Sequence, residues 1–144
     1  MTTLTSSWQF WAFGAAVFAA LTAIFAKVGV AGINPDYATF VRTIVIMVAL
    51  AGILTMTGQW QGVEVLGGRT GLFLVLSGLA TGASWICYFR ALKIGQASQV
   101  APVDKLSVVL VALFAVAFLG ERLSPTHWLG IGLVGAGAVL IAAT

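Results

Sequence analysis

The chain has 144 residues, of which 60% are hydrophobic and 8% are charged, and its mean hydropathy is +1.07. Because about a quarter of the residues in a soluble domain are charged, this composition excludes an ordinary soluble protein and indicates an integral membrane protein. The net charge of +3 is spread along the chain, so nucleic-acid binding is not indicated. A single cysteine, Cys87, provides neither an internal disulfide nor a metal cluster, and we expect no metal and no cofactor.

Five apolar stretches follow one another along the chain, at residues 11–26, 38–57, 71–92, 100–119 and 128–143. A helix needs about 20 apolar residues to cross roughly 30 Å of hydrocarbon, and these stretches approach or reach that length. They show no two-residue alternation, which favours helices over barrel strands. We therefore predict an all-α membrane protein in which residues 1–144 form one domain of five transmembrane helices. The first ten residues contain no Lys or Arg, so we expect the first helix to be retained rather than cleaved as a signal peptide.

An odd number of helices places the two termini on opposite sides of the membrane. One end of the predicted bundle then carries five bases and two acids, namely Lys27, Asp36, Arg42, Arg90, Lys93, Asp104 and Lys105. The positive-inside rule places this end in the cytoplasm, with the N-terminus outside and the C-terminus inside, in the cell (inner) membrane. If Arg42 and Lys105 belong to a binding site, only three bases remain against two acids at this end. Dual topology, in which copies insert in both orientations, then stays open.

Three charged residues lie inside predicted helices: Arg42 in the second, and Asp104 and Lys105 in the fourth. A charge at the bilayer centre costs roughly 2.5 to 3.5 kcal/mol on insertion scales, so such residues usually have partners. Arg42 and Asp104 are at similar depths, and we predict that they form an ion pair. Adjacent helical residues point in different directions, so Lys105 should instead meet a lipid phosphate, an anionic ligand or an acid of a partner chain. The alternative is that Asp104 only complements a helix dipole after Pro102.

Two further residues of the third helix are candidates for a substrate or coupling-ion site. Trp85 either packs in the core or lines a substrate cavity. Arg90 and Lys93 share one basic face at the end of that helix, where they, like Lys27, either contribute to a site or extend toward lipid headgroups.

Glycine is concentrated in the fifth predicted helix. Small residues let helix backbones approach closely, and we predict a homodimer interface there. The candidate interface residues are Gly130, Gly132, Gly135, Ala136 and Gly137.

Residues 88–142, from YFRALKIGQ through the FLGERLS turn to the glycine-rich last helix, resemble the end of an EamA domain of the drug/metabolite transporter superfamily. The segment AIFAKVGVAGINPDYATFVRTIVI resembles the opening helix pair of that domain, with Arg42 at an arginine often found there. Typical members contain two inverted repeats of five helices, whereas this chain contains one. The resemblance therefore implies a transporter that acts as a homodimer, antiparallel or parallel, and so rebuilds a ten-helix arrangement.

The resemblance favours a transporter, most simply an exporter of a small metabolite. The first helix has no acid to match the cation-binding glutamate of the related small multidrug resistance proteins, so antiport of cationic drugs by their mechanism is not indicated. The excess of bases over acids near the membrane instead favours a neutral, zwitterionic or anionic substrate. The alternative is a non-transporting membrane subunit or a lipid-headgroup flippase component that binds phospholipid phosphate. We do not expect an enzyme, because the chain has no HExxH motif and its single histidine, His127, lies near a helix end.

Overall fold

A computed structural model describes residues 7–144. Its helices are α1 (Trp8–Gly29), α2 (Pro35–Thr57), α3 (Gly68–Ile94), α4 (Ala97–Asp104), α5 (Ser107–Leu119) and α6 (Pro125–Ala142), with a 3₁₀ turn at Val63–Val65. Over the described residues there is no strand. Five segments are long and apolar enough to cross a membrane, namely α1, α2, α3, α6 and the combined segment Ala97–Leu119 that contains α4 and α5. The prediction of an all-α protein with five transmembrane helices is therefore confirmed.

The large apolar side chains of these spans are mostly exposed rather than buried. In the most apolar part of each span, only 6% to 11% of the residues are buried within the chain. A soluble protein would hide such surface from water, whereas in a bilayer the lipid tails cover it. The exposed surface is thus the expected lipid-facing surface of a small helical membrane protein.

Polar caps set the helix starts, which is why several helices begin before the apolar stretches do. The Asn34 side chain accepts a hydrogen bond at 2.8 Å from the backbone N–H of Asp36, and Pro35 occupies the first turn of α2. Ser124 caps α6 in the same way. At its other end, α2 stops at Gly58, whose φ of 66° is left-handed and favours glycine.

The fourth span is a broken helix. Two residues with turn geometry separate α4 from α5, and the hydrogen bonds across them are of the 3₁₀ type: Lys105 N–H donates to the Pro102 carbonyl at 3.0 Å, and Leu106 N–H donates to the Val103 carbonyl at 3.0 Å. The helix begins at Ala97, three residues before the predicted start, so Pro102 lies inside α4 rather than in its first turn. Proline has no N–H to donate to the preceding turn, which weakens the helix next to the break.

The chain forms two compact units. One is Phe25–Lys93, which contains the end of α1 together with α2 and α3. The other contains Ile94–Thr144 and the described residues of α1 up to Ile24, and within it α6 packs against both α4 and α5. Alanines provide the buried contacts of α5 and α6, namely Ala112, Ala115 and Ala138, so these helices approach closely through small side chains.

Candidate functional site

Two lysines tie together the ends of α1 and α3 in the unit Phe25–Lys93. The Lys93 Nζ donates hydrogen bonds of 2.9 Å to three backbone carbonyls just after α1, those of Val30, Ala31 and Ile33. In return, the Lys27 Nζ near the end of α1 donates at 2.6 Å to the Leu92 carbonyl in the last turn of α3. Helix C-termini carry unpaired carbonyls and partial negative charge, so both ammonium groups stabilise them. We call this arrangement the lysine clamp.

The side chains of Val30 and Leu92 are fully buried at the lysine clamp. Sequence reasoning offered lipid headgroups or a binding site as partners for Lys27 and Lys93. The structure shows that both ammonium groups instead bind backbone carbonyls.

Arg90, one of the predicted site residues, is bound by Asp36. The Arg90 Nε donates to Asp36 Oδ1 at 2.9 Å, and Nη2 donates to Oδ2 at 2.6 Å. Both side chains are largely exposed, so this bidentate pair joins the start of α2 to the end of α3 at the surface. The pairing was not predicted, although the shared placement of both residues at one end of the bundle was a signal for it.

Arg42 lies against aromatic rings of α3. Its guanidinium carbon is 4.1 Å from the ring centroid of Trp85 and 5.5 Å from that of Phe89. The two rings are four residues apart on one helix and therefore share a face. The structure thus brings together two predicted site residues, Arg42 and Trp85. Phe89 was missed, although its spacing from Trp85 was a signal that could have identified it.

The guanidinium of Arg42 binds no acid within the part of the chain that the structure describes, and it donates no hydrogen bond there. Arg42 is the eighth residue of α2, about 10 Å along the helix from its start. Stacking on aromatic faces stabilises a cation by about 0.5 to 2 kcal/mol, but it uses the π-system rather than the N–H groups. Arg42 therefore keeps its hydrogen-bond donors available within a transmembrane segment.

In the other unit, Asp104 and Lys105 bind each other. The Lys105 Nζ lies 3.3 Å from Asp104 Oδ2, and the two side chains are 53% and 37% exposed. We predicted that Asp104 and Lys105 would have different partners, and the contact between these neighbours contradicts that expectation. The prediction assumed a regular helix, but α4 ends at Asp104, so the next residue is not held at the next helical position.

The ion pair between Asp104 and Lys105 should contribute little to stability, because its contact is long, at 3.3 Å, and these sequence neighbours stay close together in the unfolded chain as well. In a double-mutant cycle with Asp104→Asn and Lys105→Gln, we expect a coupling energy below about 1 kcal/mol. Unfolding of the four proteins in detergent micelles, followed by circular dichroism, would measure it. A coupling energy above about 2 kcal/mol would contradict this prediction and show that the pair is shielded from water.

The glycines of α6 face different surroundings. A Cβ atom on Gly135 would lie 3.0 Å from Val109 Cγ2 in α5, so this glycine serves packing within the chain. At Gly130, Gly132 and Gly137 a Cβ atom would meet no other atom within 4 Å. Gly132 and Ala136 are both exposed and are four residues apart, so together they form an open face of small residues.

Comparison with known proteins agrees with the architecture. The model of the EamA-like transporter family matches residues 6–143. A protein of Sinorhizobium sp. named "Uncharacterized transporter in cobO 3'region" is 61% identical over 139 residues, which cover 96% of this chain and 99% of that protein. No solved structure matches the chain. The match to the family over nearly the whole length confirms the resemblance seen in the sequence, and the chain belongs to the EamA-like transporter family of the drug/metabolite transporter superfamily.

Proposed function

We propose that the protein exports a small metabolite and that Arg42 and Trp85 form part of its substrate site. The observation that supports this proposal is the guanidinium of Arg42, which stacks on Trp85 at 4.1 Å and has no acidic partner among the described residues. A charge in a transmembrane segment is costly, so an arginine there usually faces a partner or a water-filled path. A transported solute would supply the missing partner.

We further propose that the working unit is a homodimer, which resembles the inverted-repeat transporters that bind substrate between two halves. A single five-helix repeat supplies only one half of such a site. The open face formed by Gly132 and Ala136 on α6 supports a contact between copies. With Arg42 assigned to the site, four bases instead of five face two acids at that end of the bundle, so the charge bias is smaller and is compatible with copies inserted in both orientations in the cell membrane.

Reconstitution of the purified protein in liposomes tests the proposed transport. Uptake and release of radiolabelled amino acids, monocarboxylates and sugars would be compared with protein-free liposomes, and headgroup-labelled phospholipid would be followed in parallel. We expect saturable flux of at least one small solute. Movement of labelled lipid without solute flux would favour a flippase component, and no movement of either kind would favour a non-transporting subunit.

The homodimer proposal makes a prediction about Gly132. A Cβ atom at position 132 would meet no neighbouring helix or side chain within 4 Å, so Gly132→Leu should leave the fold intact. It should nevertheless weaken self-association by about tenfold, because it separates the two backbones. Förster transfer between labelled copies in liposomes would measure this change. Gly52→Leu on α2 is the matched control, since position 52 is equally open, and an equal loss of transfer in both variants would exclude α6 as the interface.

A further inference from the structure

Within the unit Phe25–Lys93, the basic side chains near the lysine clamp each donate hydrogen bonds to groups of the chain, with one exception. The Lys93 ammonium donates to three carbonyls, and the Lys27 ammonium donates to the Leu92 carbonyl. Arg90 is bound by both oxygens of Asp36. Arg42 is the exception among the described residues, because its contacts are with aromatic rings.

The stacked arrangement of Arg42 determines what kind of group it can still bind. A guanidinium is planar, and its five N–H donors point outward in that plane. The guanidinium lies over the rings of Trp85 and Phe89, with ring centroids 4.1 Å and 5.5 Å from its central carbon, and such cation–π contacts consume no donor. Two parallel N–H groups match the two oxygens of a carboxylate, which gives a short, charge-assisted bidentate contact. Both features suit a flat anionic group approaching the edge of the guanidinium.

Charge balance further restricts the class of ligand that Arg42 can bind. Each copy of the chain contributes one uncommitted guanidinium, which neutralises one negative charge, so one monoanion bound per copy leaves no net charge within the membrane. A phosphate dianion would leave one negative charge unpaired, and an unpaired charge in a low-dielectric site is costly. A cationic solute would be repelled by Arg42, because the acid at the same end of the unit, Asp36, is already bound to Arg90.

We propose that the solute is a small organic monoanion whose carboxylate binds the guanidinium of Arg42 edge-on. This inference rests on the proposed transport function and specifies its substrate class. Trp85 and Phe89 contact the guanidinium, and its paired N–H donors select a carboxylate over an amide, an amine or a dianionic phosphate.

Trp85 provides a direct binding signal, since its ring touches the guanidinium. The other four tryptophans are changed to phenylalanine, so that the emission comes from Trp85 alone; they are Trp8, Trp11, Trp60 and Trp128. Butyrate and phenylacetate are then titrated into the reconstituted protein, with the amide and the amine of each carbon skeleton and with phenyl phosphate for comparison. We expect saturable changes with the two acids, and binding of the other compounds at least about tenfold weaker.

Substitutions at Arg42 test whether the guanidinium fork, rather than its charge alone, selects the ligand. Arg42→Lys keeps the charge but loses the planar fork, and we expect it to weaken carboxylate binding by about tenfold. Arg69→Gln is the matched control, because Arg69 also lies near an aromatic ring, 6.0 Å from that of Phe73, at the opposite end of α3. Equal binding of acid and amide by the parent protein would overturn the proposal even if the lysine variant failed to fold. Unchanged affinity in a folded Arg42→Lys protein would overturn it as well.

Flux measurements separate this inference from the transport proposal. Transport of the acids in preference to their amides and amines supports both the carboxylate assignment and the transport proposal. Saturable carriage of neutral or cationic solutes, with the acids excluded, overturns the carboxylate assignment and leaves the transport function standing. Binding of acids at Trp85 without flux of any solute supports carboxylate recognition and overturns transport.

Discussion

Replacing Lys93 with methionine should lower the free energy of unfolding by about 3 kcal/mol, because three backbone carbonyls lose a charged donor at once. Methionine is also long and unbranched, so the change removes the ammonium group and keeps most of the side chain's volume. The carbonyls lie at the end of α1, where no further helical turn supplies N–H groups. Thermal unfolding in detergent micelles, followed by circular dichroism, would measure the effect.

Lys105→Met provides the control for that measurement. Lys105 lies in the turn between α4 and α5, where its ammonium contacts only the carboxylate of the neighbouring Asp104 at 3.3 Å, and removing it should cost less than about 1 kcal/mol. If the Lys93 and Lys105 variants were equally stable, the lysine clamp would have no special importance for the fold.

The lysine clamp also bears on the candidate site. Lys93 lies four residues after Phe89 on α3, and Phe89 is 3% exposed beneath Arg42. By holding the last turn of α3 against the end of α1, the clamp fixes the backbone that carries Phe89. We therefore expect Lys93→Met to loosen the aromatic surface on which Arg42 stacks, in addition to lowering stability.

The sequence was sufficient to predict the transmembrane architecture, because long apolar segments in a bilayer have few structural alternatives to helices. It could not identify the partners of the charged residues. Whether Asp36 binds Arg90, and whether Arg42 stacks on Trp85, depends on how α2 rotates against α3. The hydropathy of the individual helices does not specify that rotation.

The contact between Asp104 and Lys105 was mispredicted for a different reason. The expectation used the angle between neighbours on a regular helix, whereas the chain changes to 3₁₀ hydrogen bonding directly after Asp104. Pro102 was a signal for this break, but it could equally mark a helix start, and the structure was needed to distinguish the two. Similarly, glycine content alone could not separate Gly135, which packs against Val109, from the open position at Gly132.

Replacing Arg42 with glutamine should reduce solute flux in liposomes by about 100-fold, equivalent to roughly 2.7 kcal/mol of lost binding energy. Glutamine is neutral and too short to reproduce the guanidinium fork, so it offers no charge-assisted contact to a solute. Arg69→Gln, at the opposite end of α3, should transport at the parent rate. Loss of flux in both variants would indicate a general requirement for positive charge rather than a site at Arg42.

Stability measurements on the same Arg42→Gln protein distinguish a substrate site from a structural contact. The described residues give Arg42 no hydrogen bond or ion pair, so the fold loses only its contacts with Trp85 and Phe89, worth up to about 2 kcal/mol. Removing the charge regains part of the roughly 2.5 to 3.5 kcal/mol that a charge costs at the bilayer centre, since the glutamine amide is itself polar, and this gain offsets that loss. We therefore expect Arg42→Gln to unfold at the same temperature as the parent or higher while transport falls. A residue that strains the fold but is required for flux is expected at a binding site, whereas a structural arginine would lose stability and activity together.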